Sequence, residues 1–386
     1  MIGRRQLAVA SPVSIKGILA SAVDSVRGSS EIAATARDVV ARTFSASEVV
    51  LTDSGTSALV LAMRIAAGKD GVVGLPAYAC VDLAAAALAA GVRVRLYDVD
   101  PANLSPDLDS VRRMMSRGVS AIVVAHLFGY PADVPAVREL ADREGIPVIE
   151  DAAQGAGGSL HHTRLGALGE LAVLSFGRGK GLCAGGGGAL LARGARWPSV
   201  IGALSLAPAS RGWGGLASTF VQWVLGRPSI YWLPSMVPWL HLGEMVYHPA
   251  GEPAAISAAS ASMVPTAISL EPADVAERRM RAKRFDVLVD AGGRVSRPMP
   301  ISGGEPGYLR YPIRDTDGPR DPEGRIGIVR PYPEPWMRWS QVSGIIETGE
   351  PESRRASELA RSLMTLPTHR FVSDADVAAV GRWLAR

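Results

Sequence analysis

Four lysines stand among the 41 basic residues, and one of them, Lys180, lies in Ser175-Phe176-Gly177-Arg178-Gly179-Lys180-Gly181-Leu182, just before Gly185-Gly186-Gly187-Gly188. Lys16, Lys69 and Lys283 occupy polar or helical contexts where arginine serves as well. An amine can lose its proton and condense with a carbonyl, which a guanidinium cannot do. Asp151 closes the run Val148-Ile149-Glu150, where an anion can hold a protonated ring nitrogen. Ser54-Gly55-Thr56-Ser57 opens a helical stretch, and the free N–H groups of a helix start suit a phosphate. Ser175 can add a hydroxyl to that phosphate. Each fragment alone also has a plain structural use, as an N-cap, a helix cap or a tight loop. Together, one amine, one carboxylate and one phosphate cradle are the needs of pyridoxal 5'-phosphate.

These groups must be brought together by the elements around them. Apolar runs at 49–51, 71–75, 92–97, 121–125, 148–149, 171–176 and 189–192 are expected to be strands, with helices at 58–67 and 81–90. Such β–α alternation predicts an α/β fold with a mostly parallel central sheet covered by helices on both faces. Ligands of such sheets gather beyond the carboxyl ends of the strands. Ser54-Gly55-Thr56, Asp151 and Ser175–Lys180 all follow strands, so they are expected to converge. After about residue 270 the charge density rises, with an arginine-rich helix over 275–288 and a last helix over 375–385. The expected division is a large domain of 1–265 and a smaller α+β domain of 266–386.

At 386 residues, 47% hydrophobic and 20% charged, the chain has the make-up of an ordinary globular protein. A net charge of +4, without basic clusters interleaved with aromatics, gives no case for nucleic acid. Two cysteines, Cys80 and Cys183, lack metal or disulfide spacing, and His161-His162 has no ligating partner at zinc spacing. No metal is expected, and a reducing cytoplasm is the default. Pro12 and Lys16 interrupt the apolar start, so no export signal is expected.

Residues 198–250 depart from the alternation. No charge occurs between Arg211 and Arg227, or between Arg227 and Glu244, and Trp197, Trp213, Trp223, Trp232 and Trp239 fall here or at the edge. Pro228, Pro234 and Pro238 forbid one long helix, and each charge-free stretch is shorter than the ~20 residues that span a bilayer. Three readings stay open: a dimer interface, a lid over the site, or contact with a membrane surface, the last making the protein peripheral at the inner membrane face.

The chain resembles the DegT/DnrJ/EryC1/StrS family, the sugar aminotransferases among fold-type I pyridoxal-phosphate enzymes. The resemblance rests on Ser54-Gly55-Thr56-Ser57-Ala58-Leu59, Pro76-Ala77-Tyr78-Ala79-Cys80 and His126-Leu127-Phe128-Gly129-Tyr130-Pro131-Ala132-Asp133. It continues through Glu150-Asp151-Ala152-Ala153-Gln154-Gly155, Ser175-Phe176 and the Lys180 segment to Leu366-Pro367-Thr368-His369. It implies that Lys180 is the Schiff-base lysine and proton carrier, and that Asp151 pairs with the ring nitrogen. By the same resemblance Gln154 lies by the 3-hydroxyl, while Gly55, Thr56, Ser57 and Ser175 hold the phosphate. The place of a stacking aromatic falls on Cys80. An asparagine borrowed from the neighbouring subunit has no counterpart, because Asn103 is the one asparagine and lies elsewhere; Tyr247-His248 or Ser260–Thr266 are the alternatives.

For substrate contacts the candidates are His126, at a strand end, and Arg310 and Arg314, which share a strand face by period two. Arg330 with Trp336 and Trp339 is a further candidate for a substrate mouth. The expected activity moves an amino group from a donor such as glutamate to a keto-sugar or related keto metabolite, in a homodimer. Dehydration, cyclisation or a non-catalytic role are the alternatives.

Overall fold

The computed structural model describes residues 4–27, 30–210, 212–237, 245–315, 320–349 and 353–386. Trp239 and the flanking charges Arg211 and Glu244 therefore lie outside the described residues.

Two helices, α1 (Ile15–Arg27) and α2 (Ser30–Phe44), lead into β1 (Glu48–Thr52), α3 (Gly55–Ala67), β2 (Val72–Pro76), α4 (Asp82–Ala90) and β3 (Arg93–Tyr97). The alternation goes on with α5 (Leu108–Met115), β4 (Ala121–Ala125), α6 (Val134–Asp142) and β5 (Val148–Asp151). The short β6 (Ser159–Leu160) and β7 (Thr163–Arg164) precede β8 (Leu171–Ser175) and β9 (Gly188–Ala192). Seven strands form the main sheet in the order β1-β9-β8-β5-β4-β2-β3. Pairing from β3 through to β8 is parallel, and β9 is antiparallel to both neighbours. Strands covered by helices on both faces read as unbroken apolar runs, and β4, Ala-Ile-Val-Val-Ala, is buried at every position. The α/β architecture expected from the sequence is thus the one observed.

The insertion holds two helices, α7 (Pro198–Gly202) and α8 (Trp213–Leu225), and not one long element. Trp197 is buried in the main core, whereas Trp213, Phe220, Val221, Leu233 and Met236 stay exposed. Among the described residues no helix is long and apolar enough to cross a membrane.

A 35-residue helix, α9 (Ala258–Gly292), contains the arginine-rich stretch expected at 275–288 and carries Pro265 and Pro272 inside it. The expected division at 265/266 falls within this helix. Its first turns, including Ala259, Ala261 and Val264, pack in the core of the large unit. Further along, Ala282, Phe285 and Val289 join a separate core. That second core is built on β10 (Val295–Ser296), β12 (Tyr311–Asp315) and β13 (Leu363–Leu366), which form a three-stranded antiparallel sheet. Between them, β11 (Gly304–Glu305) pairs with β6. The last helices are α10 (Arg354–Ser362) and α11 (Asp374–Leu384).

Candidate active site

Two chain reversals meet at the carboxyl edge of the sheet. After β1, Ser54 adopts extended backbone (φ −156°, ψ 160°) and its side chain accepts from the Ser57 N–H, capping α3. The capping bond is 3.0 Å long, and it leaves the Gly55 and Thr56 N–H groups at the open end of the helix. Gly55 is required here for space: a Cβ at this position would sit 2.7 Å from Ser175 Cβ. The helix start and the end of β8 are therefore in backbone-to-side-chain contact. After β8, the glycine-rich segment returns the chain to β9, with Phe176 N–H donating to Gly187 O and Gly187 N–H to Asp53 O. Lys180 lies on this loop.

One cavity is lined by Gly55, Thr56, Cys80, His126, Asp151, Gln154, Ser175 and Lys180. The strand-end residues expected to converge do so. Asp151 Oδ1 accepts from Ala153 N–H at 3.0 Å. Burial pushes its carboxyl above the usual range, against the Ala153 N–H and the nearby Lys180 charge, which favour the anion. Cys80 Sγ lies 3.3 Å from Asp82 Oδ2, and burial with that carboxylate pushes the thiol up to about 12, so it stays protonated. Asp82, at the start of α4, also lines the cavity.

Ser57 and His126 behave differently from the expectation. Ser57 is buried with its hydroxyl 2.9 Å from Ser54 Oγ, and it does not line the cavity; its place is in the cap. His126 reaches the wall, but both ring nitrogens are taken. Nδ1 accepts from Ala132 N–H at 2.9 Å and Nε2 lies 2.9 Å from Glu150 Oε1. With Nδ1 an acceptor, the neutral ring must carry its proton on Nε2 and donate to Glu150. Only ring carbon remains to face a ligand. Glu150 also accepts from the N–H groups of Gly166, Leu168 and Gly169. Burial alone would raise its carboxyl, but the His126 contact and these N–H groups hold it below the usual range.

A second cavity of about 280 Å³ joins the first, sharing Cys80, Gln154 and Lys180. It brings in Arg178, Arg310 and Tyr332, with Val9, Met245 and Leu309 as apolar wall. Arg310 precedes β12, and burial disfavours its charge, as expected of a cation held in a water-poor wall. Arg314 does not reach the site. Four residues along an extended chain are about 13 Å, so a shared strand face does not mean a shared cavity. Its guanidinium pairs with Glu358 and donates to Pro101 O. The supposed mouth of Arg330, Trp336 and Trp339 is also not formed. Arg330 donates to Arg320 O, and the wholly buried Trp336 donates to Pro76 O at 3.0 Å. The intervening Pro331 and Tyr332 line the cavity instead. Tyr247, His248 and residues 260–266 of α9, expected to act on a neighbouring copy, do not line this chain's own cofactor cavity, and Asn103 serves a turn with Asp100 and Ser105. No group of three or more potential metal ligands occurs among the described residues.

Sequence reasoning missed Tyr332. Gln154 Nε2 donates to its hydroxyl at 2.8 Å, and its ring stacks on Phe128 with centroids 5.4 Å apart. The local signal was Arg330-Pro331-Tyr332-Pro333, a proline-flanked aromatic in a loop, which attention to the neighbouring tryptophans obscured.

Residues 35–207 match the model of the DegT/DnrJ/EryC1/StrS aminotransferase family. A dTDP-4-dehydro-2,3,6-trideoxy-D-glucose 4-aminotransferase of Saccharopolyspora spinosa is 37% identical over 142 residues, 36% of this chain and 37% of that protein. An L-glutamine:2-deoxy-scyllo-inosose aminotransferase of Streptomyces paromomycinus is 34% identical over 191 residues, 48% of this chain and 45% of its own length. The chain thus spans less than half of the curated relatives it matches. Among solved structures, the sugar aminotransferase CalS13 of Micromonospora echinospora superposes over 100% of this chain and 99% of its own, at TM-score 0.73 and 21% identity. A Streptococcus pneumoniae chain solved in its PLP form covers 98% of this chain and 97% of that one, at TM-score 0.75 and 16% identity. At such identities the likeness is one of fold alone. Over residues 35–207, somewhat under half of its length, the chain is thus similar to the DegT/DnrJ/EryC1/StrS aminotransferase family.

Proposed function

We propose that the protein is a pyridoxal 5'-phosphate-dependent aminotransferase acting on a keto-sugar or related keto metabolite. One observation carries this reading: Lys180, Asp151, Gln154, Ser175, Gly55 and Thr56 line a single cavity. The donor set fits the cofactor, offering an amine, a buried carboxylate, and a helix start whose close approach to Ser175 leaves no room for a Cβ. Gly55, Thr56 and Ser175 would hold the phosphate, Asp151 the ring nitrogen, Gln154 the ring oxygen, and Lys180 the aldehyde carbon. When bound, the cofactor supplies an electron sink for the carbon that loses its proton.

The chain's own residues do the rest. Asp151 offers a negative charge in a buried place, where a cationic ring nitrogen repays the burial that otherwise protonates the carboxyl. Lys180 stands where the two cavities meet, so its amine can reach both the cofactor side and a bound amino donor. It can take a proton from one carbon and return it to another, as a positioned general base and then acid. Arg310 in the wall of the second cavity is placed for a carboxylate or phosphate of donor or acceptor. The apolar wall limits water.

The relatives' names support glutamine as a donor and a sugar or cyclitol acceptor; glutamate as the donor and a cytoplasmic setting are part of the proposal. A homodimer is part of the proposal: Trp213, Phe220, Val221, Leu233 and Met236 are exposed on the 198–250 insertion, and a second copy would cover them. Contact of 198–250 with a membrane surface is the competing outcome, decided by measuring mass in solution and flotation with liposomes. The activity is tested by a donor and acceptor screen that follows the visible absorbance of the loaded protein. Loss of the band on adding glutamate or glutamine, and its return with a keto-sugar, is expected; no change with any donor, or lyase products from a single substrate, would refute transamination.

A further inference from the structure

Tyr332 comes from the segment between the two small-unit strands β12 and β13, yet it meets the large unit at its most sensitive point. Its side chain is 6% exposed, its ring stacks on Phe128 at 27° and meets Tyr78 edge-on at 5.3 Å. Its hydroxyl accepts from Gln154 Nε2 at 2.8 Å, and Gln154 Oε1 accepts from Phe128 N–H at 3.1 Å. Phe128 itself holds φ 57°, a left-handed backbone that a bulky residue adopts only when its surroundings impose it. Arg310 N–H donates to Phe128 O at 3.3 Å. Both atoms at the tip of Gln154 are thereby fixed. The Phe128 N–H settles which end of the amide is oxygen, and the Tyr332 hydroxyl holds the nitrogen end.

We propose that Tyr332 is a positioning residue: it clamps the Gln154 amide so that the one remaining N–H is presented to the cofactor cavity, and it turns its own O–H into the substrate cavity. This rests on the cofactor reading above, in which Gln154 serves a ring oxygen. With a lone pair used by Gln154, the Tyr332 hydroxyl keeps its proton to donate, and burial holds that proton well above neutral pH. The second cavity, which Lys180, Arg310 and Tyr332 line together, then offers a cation and a neutral donor side by side. An acceptor or donor carrying a carboxylate or phosphate next to the reacting carbon satisfies both.

Tyr332→Phe keeps the ring and deletes the hydroxyl. In the cofactor-free protein, hydrogen exchange at the Phe128 amide is expected to quicken roughly 2- to 10-fold, the worth of one neutral hydrogen bond. In the loaded protein, the pH at which the visible band changes form is expected to move by about half to one unit. In a Gln154→Ala background the same Tyr332→Phe change is expected to add no further shift. Unchanged Phe128 exchange, or a band shift that persists in full without Gln154, would overturn the inference. A protein that develops no visible band with pyridoxal 5'-phosphate would overturn the functional reading, and the exchange result on the cofactor-free protein would still decide this one.

Discussion

Gly55→Ala probes the phosphate cradle with a single methyl group. The added Cβ would lie 2.7 Å from Ser175 Cβ, 2.9 Å from its Oγ and 3.2 Å from its Cα. Ordinary carbon contacts are about 3.5–4.0 Å, so the first turn of α3 and the end of β8 must part by about 1 Å. Rotating Ser175 moves only its Oγ; Cβ and Cα are fixed by the strand, whose Ser175 pairs with Gly188. Overpacking of this kind costs about 1–3 kcal/mol of stability. Hydrogen bonds from the Gly55 and Thr56 N–H groups to a charged phosphate, worth about 1.5–3 kcal/mol each, would be stretched together. Cofactor affinity should therefore fall about 10- to 100-fold. The assay is titration of the cofactor-free protein with pyridoxal 5'-phosphate, followed by absorbance, beside thermal unfolding of the same sample. Gly202→Ala, where a Cβ meets nothing within 4 Å, is the control. A variant that loses stability but binds within twofold of the parent would refute the assignment of this helix start as the phosphate site.

Other expectations are equally direct. Burial holds His369 down to about 4 despite the Leu7 carbonyl 3.0 Å from its ring nitrogen. The unfolded chain therefore takes up this proton first as pH falls, so the contribution is present above about 6.5 and is lost between there and about 4. It amounts to about 3 kcal/mol, read by urea unfolding at several pH values; a His369 variant should flatten that slope. Arg310→Met should raise the KM for one substrate at least tenfold, while Arg314→Met should leave KM unchanged and cost about 1 kcal/mol; the reverse pattern in steady-state kinetics would exclude Arg310. Glu150→Gln places an amide against the N–H groups of Leu168 and Gly169 and should cost about 3 kcal/mol by chemical denaturation. Ser11→Ala removes the acceptor of the Gly179 N–H at 2.8 Å, and should speed proteolysis within residues 177–181.

Much of the fold was legible because strands buried on both faces leave unbroken apolar runs, and β1 to β5, β8 and β9 lie within a residue or two of their expected places. The site was legible where its residues follow strands, since β-strand ends fix where the next residues go. Chemistry at Lys180, Asp151 and Ser54-Gly55-Thr56 needs only that rule. What escaped was set by tertiary contact. Arg314 shares the parity of Arg310, but Glu358 on α10 claims it. Trp336 looks like a surface aromatic until Pro76 O is found to accept its N–H. His126 offers no free nitrogen, because Glu150 and Ala132 lie around the ring. A helix of 35 residues with two prolines inside is likewise written by packing on two successive cores, not by propensity, so a boundary drawn at 265/266 from the rise in charge density falls inside it.

The central claim is that Lys180 carries the aldehyde of the cofactor, opposite Asp151. Because the chain has four lysines, borohydride reduction of the protein incubated with pyridoxal 5'-phosphate, followed by peptide mass mapping, reads this claim at one residue. A pyridoxyl group on the Lys180 peptide at one per chain is the predicted result. A label on Lys16, Lys69 or Lys283 in its place, or none at all, would contradict the account.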